Sequence, residues 1–390
     1  MKNMVLVVIL FACFTYADTI TNKKTGDVYT GFVTQATEGH GTCIVSEQKG
    51  KFEANLADYH IERNEKGRKE SISVLKVDKA IEYEIETNAF EKSLIEESNK
   101  GPLAILIEID TPGGRVDLCK KMCAALIKTS NCKTIAYICG GENGGAYSAG
   151  SVISMACNDI YMAPGCCIGA ATAILTSEEG VTDMKKAFGE EVGEKFGSAW
   201  RNYMASVAEQ SGRPSCLAKA MAERDIEILE IRRNGKKLYI ESNLKLKSDE
   251  VLRRFCPKGT LLTLTSKDAI DCGMSDGECE SRDYVVAEIT SLSPEIFEPV
   301  LIDQAREELE KVVNKFKKIE AKINKEIVEI ESRSARKRLY RRDMLKSLRV
   351  LSKNADYLLN LKRLYPDVPV TEERIRNMKT KVDGLIAAIM

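Results

Sequence analysis

Between residues 103 and 163 lie three short runs made almost wholly of apolar residues, and they restrict what this chain can fold into. They are Leu103-Ala104-Ile105-Leu106-Ile107-Glu108-Ile109-Asp110, Thr134-Ile135-Ala136-Tyr137-Ile138 and Asp159-Ile160-Tyr161-Met162-Ala163. Each is too short for a buried helix and lacks the alternation of a half-exposed strand, so each reads as a strand covered on both faces. Helical stretches near 116–129 and 147–157 fill the gaps. The order β-α-β-α-β predicts an α/β fold with a parallel sheet wrapped by helices.

The flanks differ in character. Met1-Lys2-Asn3 is short and basic, residues 4–12 are apolar, and Thr15-Tyr16-Ala17 resembles a cleavage site before Asp18. Residues 1–17 thus predict a signal peptide and export, periplasmic or extracellular. If the segment stays uncleaved, or is lipidated at Cys13, it gives membrane association instead. Residues 18–70 read as a small β module and a charged linker, with strands near Val28–Thr34 and Thr42–Ser46. The α/β segment is taken as 71–292. Within it Asn234-Gly235 marks a hairpin turn, Thr265 a helix cap and Gly273 a helix end. In 293–390, Ile302, Leu309, Phe316, Ile323 and Ile330 recur every seven residues, which predicts a coiled coil or a long helical hairpin. The basic cluster Arg333, Arg336, Lys337, Arg338, Arg341 and Arg342 reads as a solvated corner, with an anionic lipid or acidic partner as the alternative. Pro366 and Pro369 interrupt the helices before a last one capped at Thr371.

A chain of 390 residues with 44% apolar residues can bury the cores of two or three units. Lys plus Arg and Asp plus Glu number 58 each, so no global field draws the protein to nucleic acid. After residue 17 no apolar run reaches the roughly 20 residues of a membrane span. The two histidines, His40 and His60, precede the α/β segment. A His-rich metal site is therefore excluded, and a Ser-His-Asp triad in that segment would lack its histidine. No metal or cofactor is expected. Thirteen cysteines, one within the signal, are too dispersed for a disulfide scaffold; most read as buried small apolar residues. Cys119 and Cys123 share a helix face, and disulfides stay open in an oxidising compartment.

Two glycine-rich turns follow the first two strands: Asp110-Thr111-Pro112-Gly113-Gly114-Arg115, and Gly140 to Ser151, which contains Ala146-Tyr147-Ser148-Ala149-Gly150. Parallel strands deliver both turns to the carboxyl edge of the sheet, where ligands bind. Glycines let backbone N–H groups face a substrate. Ser148, opening the next helix, would put a hydroxyl beside those donors, and nucleophile plus donors is the minimum for acyl transfer. Neither turn matches a dinucleotide or nucleoside-triphosphate loop.

The run Ile107–Ala173 resembles the Clp-protease/crotonase superfamily, and most of all its NfeD-type membrane-associated serine proteases, relatives of signal peptide peptidase A. The matching motifs are Asp110 to Arg115, Tyr147-Ser148-Ala149-Gly150-Ser151, Met162-Ala163-Pro164-Gly165 with Ile168-Gly169-Ala170, Ala208-Glu209-Gln210-Ser211-Gly212-Arg213, and Leu262 to Gly273. The likeness covers about residues 72–290. It implies a ClpP/crotonase-like core of repeated β-α-β units, Ser148 as nucleophile, and an oxyanion hole from Gly113, Gly114 and the N–H of Ala149. It also implies assembly into homo-oligomers and a lysine base. Aligned on the Ala208–Arg213 run, the lysine position is Ala205, which cannot take a proton, so the expected dyad is broken. Arg201, one turn earlier, is too basic to serve but could meet a substrate carboxylate. Lys195 is about 15 Å up a helix at 1.5 Å per residue. Lys267 starts a later helix and could reach in. A thiol nucleophile at Cys166-Cys167 has no activating base.

The first function expected is an exported serine peptidase cleaving a polypeptide. The second is a pseudo-protease that keeps the fold to bind or scaffold a protein partner. Acyl-coenzyme A chemistry shares the two-donor hole, but export opposes it.

Overall fold

Isoleucine and leucine occupy the centre of the sheet. Ile105, Leu106, Ile107, Ile109, Ile135 and Ile138 have no solvent exposure, as strands covered on both faces require. The computed structural model describes residues 17–35, 42–64, 70–177, 180–291, 293–334, 341–368 and 370–390. The signal segment except Ala17, the middle of the charged linker and most of the 333–342 basic cluster lie outside them.

The chain divides into two compact units, one comprising residues up to 81 and 90–299, the other 82–89 and 300–390. In the first, six strands form an all-parallel sheet in the order Gly277–Glu278, Asp159–Met162, Lys133–Ile138, Ala104–Ile109, Ser71–Val77 and Glu295–Phe297. The three sequence-read strands are its centre. Helix Val116–Lys128 buries Leu118, Cys119, Met122, Cys123 and Leu126, and helix Ala149–Met155 is buried throughout. All twelve cysteines from Cys43 onward are free thiols, and burial pushes Cys139 and Cys279 up to about 11 and Cys272 to about 12. This is the α/β class read from the sequence.

A second sheet escaped the sequence reading because its strands have only three residues each. Gly145–Tyr147 pairs in parallel with Cys167–Gly169, which pairs antiparallel with Thr263–Thr265. It holds the second glycine-rich turn.

The N-terminal module is a five-stranded antiparallel sheet between Asp18 and Glu62. Lys51 fastens it to the α/β core: its ammonium donates to the carbonyl of Ser211 at 2.7 Å, at the end of helix Glu190–Gln210. A cation at a helix carboxyl end is favourable.

Beside the core lies a three-stranded antiparallel sheet, Lys236–Glu241, Ile228–Arg233 and Glu250–Cys256. Asn234 and Gly235 both have positive φ, 53° and 78°, as a type I′ turn requires. Arg233 closes this sheet on Asp249 with two bonds of 2.7 Å, and the N–H of Leu246 adds a third. These bonds, Arg233 first, pull the Asp249 carboxyl down to about 2. A depressed carboxylate stabilises the fold above its unfolded value near 4 and loses that effect as pH falls toward 2. Asp249→Asn is therefore expected to unfold at lower urea than wild type at pH 7, with the gap closing between pH 4 and 2. A gap that stays constant over that range would show that the carboxylate charge is not the stabilising element.

In the second unit, helices Leu301–Ser334, Arg341–Leu364 and Glu372–Ile389 share one core. Leu309, Phe316, Ile323 and Ile330 of the heptad seam are buried there with Leu348, Leu351, Leu358, Ile375 and Val382. Of the two arrangements read from the seam, the structure has the helical hairpin, extended by a third helix. Pro366 sits in the last turn between helices, where Lys362 donates to the carbonyls of Pro366 and Val368 at 2.5 and 2.7 Å. The Thr371 hydroxyl caps the final helix by accepting from the N–H of Arg374 at 3.2 Å, a contact worth about 1 kcal/mol.

Candidate active site

The two glycine-rich turns meet. Thr111 donates its N–H to the carbonyl of Gly145 at 2.9 Å, and Tyr147 returns its own to Thr111 at 3.0 Å. The buried Asp110 carboxylate ties them again: one oxygen accepts from the N–H of Gly145 at 3.1 Å, the other from the N–H of Asn143 at 3.0 Å.

Ser148 stands where the Gly145–Tyr147 strand becomes the Ala149–Met155 helix. Its φ of 52° and ψ of −120° are strained for a residue with a side chain. Its N–H donates to Gly169 at 3.0 Å, so the three-residue sheet holds the turn in place. A serine at the start of a helix normally caps it through its hydroxyl. The Ser148 hydroxyl makes no such capping bond.

Gly113 lies directly against it. A Cβ on Gly113 would overlap the Cβ of Ser148 and come within 2.9 Å of the Tyr147 carbonyl and 3.0 Å of the Ala149 nitrogen. The Gly113 N–H is already engaged, donating to the Thr111 hydroxyl at 3.1 Å. Neither Gly114 nor Ala149 donates its N–H to another described residue. Of the four residues read from the sequence as nucleophile and oxyanion hole, the structure gathers all, and leaves two N–H groups undonated.

The other two candidates are elsewhere. The Arg201 guanidinium, 16% exposed, donates to Glu194 at 2.5 Å and to Glu223 at 2.8 Å, so two carboxylates of the chain already hold it. Lys267 is exposed. Strand register carries it away from the serine: Thr263 pairs with Gly169, the partner of Tyr147, but Thr265 pairs with Cys167, the partner of Gly145. Two residues of strand move the chain back by roughly 7 Å before Lys267 begins its helix.

Ala205 is buried on helix Glu190–Gln210, whose end meets the helix of Ser148 where the Ser211 hydroxyl donates to the carbonyl of Met155 at 2.6 Å. Tyr203 lies beside Cys119 and Cys123, and Cys119 donates to the carbonyl of Ala149 at 3.6 Å. The 203–205 stretch thus packs beside the start of the Ser148 helix. Burial raises the Tyr203 hydroxyl far above its usual range, which removes it as a base. Lys195, further up the helix, is exposed and pairs with Glu191 at 3.3 Å. Among the described residues no lysine hydrogen-bonds to Ser148.

The site is a serine turn packed against a glycine turn in an α/β unit built on a parallel sheet. Residues 71–250 match the family described as NfeD1b, N-terminal domain. The chain is 29% identical to membrane protein NfeD1b of Bacillus subtilis over 247 residues, 63% of this chain and 46% of that protein. It is 32% identical to membrane-bound protease PH1510 of Pyrococcus horikoshii over 125 residues, 32% of this chain and 26% of that protein. The chain therefore spans less than half the length of either relative. A solved structure of the membrane-bound stomatin-specific protease 1510-N aligns with a TM-score of 0.43 at 20% identity, over 59% of this chain and 98% of that one. The relatives are named as membrane proteins; among the described residues no helix is long and apolar enough to cross a bilayer.

Proposed function

We propose that this chain is an exported, homo-oligomeric serine peptidase acting on polypeptides. The observation that carries this is the Ser148 turn: a strained serine whose hydroxyl escapes capping, beside two undonated N–H groups. In this reading the Ser148 hydroxyl attacks a peptide carbonyl carbon, and its proton passes to a base. Gly114 and Ala149 donate to the oxygen that becomes negative, with Gly113 leaving the room for it. The C–N bond then breaks, the proton goes to the departing amine, and water releases the acyl group. The protease name of the Pyrococcus horikoshii relative supports the reaction class. The apolar N-terminal run and the relatives' membrane names support action at or beyond a membrane.

A second reading, a pseudo-protease that binds a protein partner, is favoured by one observation: the residue aligned with the family lysine is the buried Ala205. Labelling with a fluorophosphonate probe separates the two. The first reading expects labelling of wild type that Ser148→Ala abolishes. Lys195→Ala and Lys267→Ala are run beside it: from their placement both are expected to label like wild type, and loss of labelling with unchanged circular dichroism would identify that lysine as the base. An absence of labelling in folded, assembled protein would replace the peptidase with the binding protein.

A further inference from the structure

A cavity of about 320 Å³ opens between the Thr172–Ala173 segment, the Met184–Phe188 helix, the middle of helix Glu190–Gln210 and residues 222–225. That is within the size range of small-ligand sites. Four cations line it, Lys185, Lys186, Arg201 and Arg224, with Glu223 and Asp225; of these, Lys185 is paired with Glu190 and Glu194, and Arg201 with Glu194 and Glu223. Lys186 and Arg224 are exposed and have no ion-pair partner among the described residues. Just outside the lining a carboxylate already sits between two of these cations: Glu194, 44% exposed, accepts from Arg201 at 2.5 Å and lies 3.2 Å from Lys185. A carboxylate so exposed is exchangeable. Thr172 contributes a buried hydroxyl that has no partner among the described residues. Trp200 lines the same wall with its indole N–H fixed to the carbonyl of Ala171 at 2.7 Å, which leaves the ring as an apolar surface.

The cavity adjoins the serine. Thr172 is three residues beyond Gly169, whose carbonyl accepts the N–H of Ser148, and three residues of chain reach at most about 11 Å. A polypeptide lying across Ser148 would therefore reach the cavity within a few residues.

We infer that this cavity is a subsite for a carboxylate carried by the bound polypeptide, either its terminal carboxylate or an acidic side chain. Lys186 and Arg224 attract it at the mouth, and Arg201 takes it in exchange for Glu194. The inference rests on the peptidase reading only in supposing that a polypeptide lies across Ser148.

The chain's single tryptophan, Trp200, reports on the site directly. Full-length Ser148→Ala protein, which cleaves nothing in that reading, is titrated with a hexapeptide bearing a free terminal carboxylate. The same peptide amidated, and an amidated peptide with an internal glutamate, are run beside it. The free acid is expected to change Trp200 emission saturably, with the plain amide binding at least tenfold more weakly. The double variant Lys186→Gln/Arg224→Gln, at two exposed positions, is expected to lose about tenfold in affinity for the acid, as for the loss of a charge-assisted contact. Glu194→Gln, which removes the internal competitor, is expected to tighten it. Binding of the internal glutamate peptide identifies the side chain as the source of the carboxylate. Equal affinity for acid and plain amide, or no saturable response from folded protein, overturns the assignment. Fluorophosphonate labelling is read separately: carboxylate binding without a reactive serine sinks the peptidase and keeps the subsite, and the reverse result sinks only the subsite.

Discussion

Replacing Arg213 with alanine is expected to destabilise the α/β unit by about 3–5 kcal/mol, the range for breaking a buried ion pair at one partner. The Arg213 side chain has no solvent exposure. It donates to the carbonyl of Met274 at 2.7 Å, to the carbonyl of Asn158 at 3.1 Å and to Asp276 at 2.9 Å. Asp276 also accepts from the N–H of Ile160 at 2.7 Å, so the pair joins the start of the Asp159–Met162 strand to the loop that precedes its edge neighbour. Alanine would take the arginine donor from two carbonyls and leave the Asp276 carboxylate without its cation. At about 2–4 °C per kcal/mol, the melting temperature should drop by roughly 6–20 °C. Arg213→Lys keeps the charge but not the fork, and should recover only part of the loss. A drop below 1 kcal/mol for the alanine variant would mean that the loop packs without the arginine.

The second large effect is expected at Gly113. Its φ of 102° disfavours any side chain, and the space a Cβ needs is filled by Ser148 and the Ala149 nitrogen. Gly113→Ala must therefore push the serine turn away from the glycine turn. Since misplacing a single oxyanion donor lowers rates by about 100- to 1,000-fold, probe labelling of Ser148 should fall by at least roughly 100-fold. Gly235→Ala is the control: its φ is 78°, but open space surrounds it, so it bears backbone strain without a clash. That variant should lose some stability and label normally. If Gly113→Ala labelled at the wild-type rate, the two turns would not act as one site.

The parallel sheet was legible in the sequence because both faces are covered and its strands read as unbroken apolar runs. The hairpin at Asn234-Gly235 and the caps at Thr265 and Thr371 were legible because each depends on a side chain or φ that few residue types supply. The sheet that fixes Ser148 was not, since strands of three residues hold less than two periods of any pattern. The meeting of Gly113 with Ser148 could be expected from topology, but the division of labour between the glycines could not. Which N–H is engaged depends on the Thr111 hydroxyl, and nothing in the local spelling marks that. The displacement of Lys267 from the serine was not legible because order along the chain does not show strand register, and the carboxylates that hold Arg201 were not, because helix spacing does not show ion-pair partners. The heptad seam read correctly as a packing face, but a seam alone does not say whether its partner is another chain or the next helix of the same one.

Asp110 accepts hydrogen bonds from the second glycine-rich turn while its own backbone begins the first. Its carboxylate takes no part in bond-making in the reaction proposed. It nevertheless removes the relative freedom of the two loops, so that nucleophile and donors are carried as one rigid piece. Thermal motion that displaces one carries the other with it, and the distance between them is conserved through fluctuations that would blur a site built from independent loops. The alignment is set once, by folding, and does not have to be found again at each turnover.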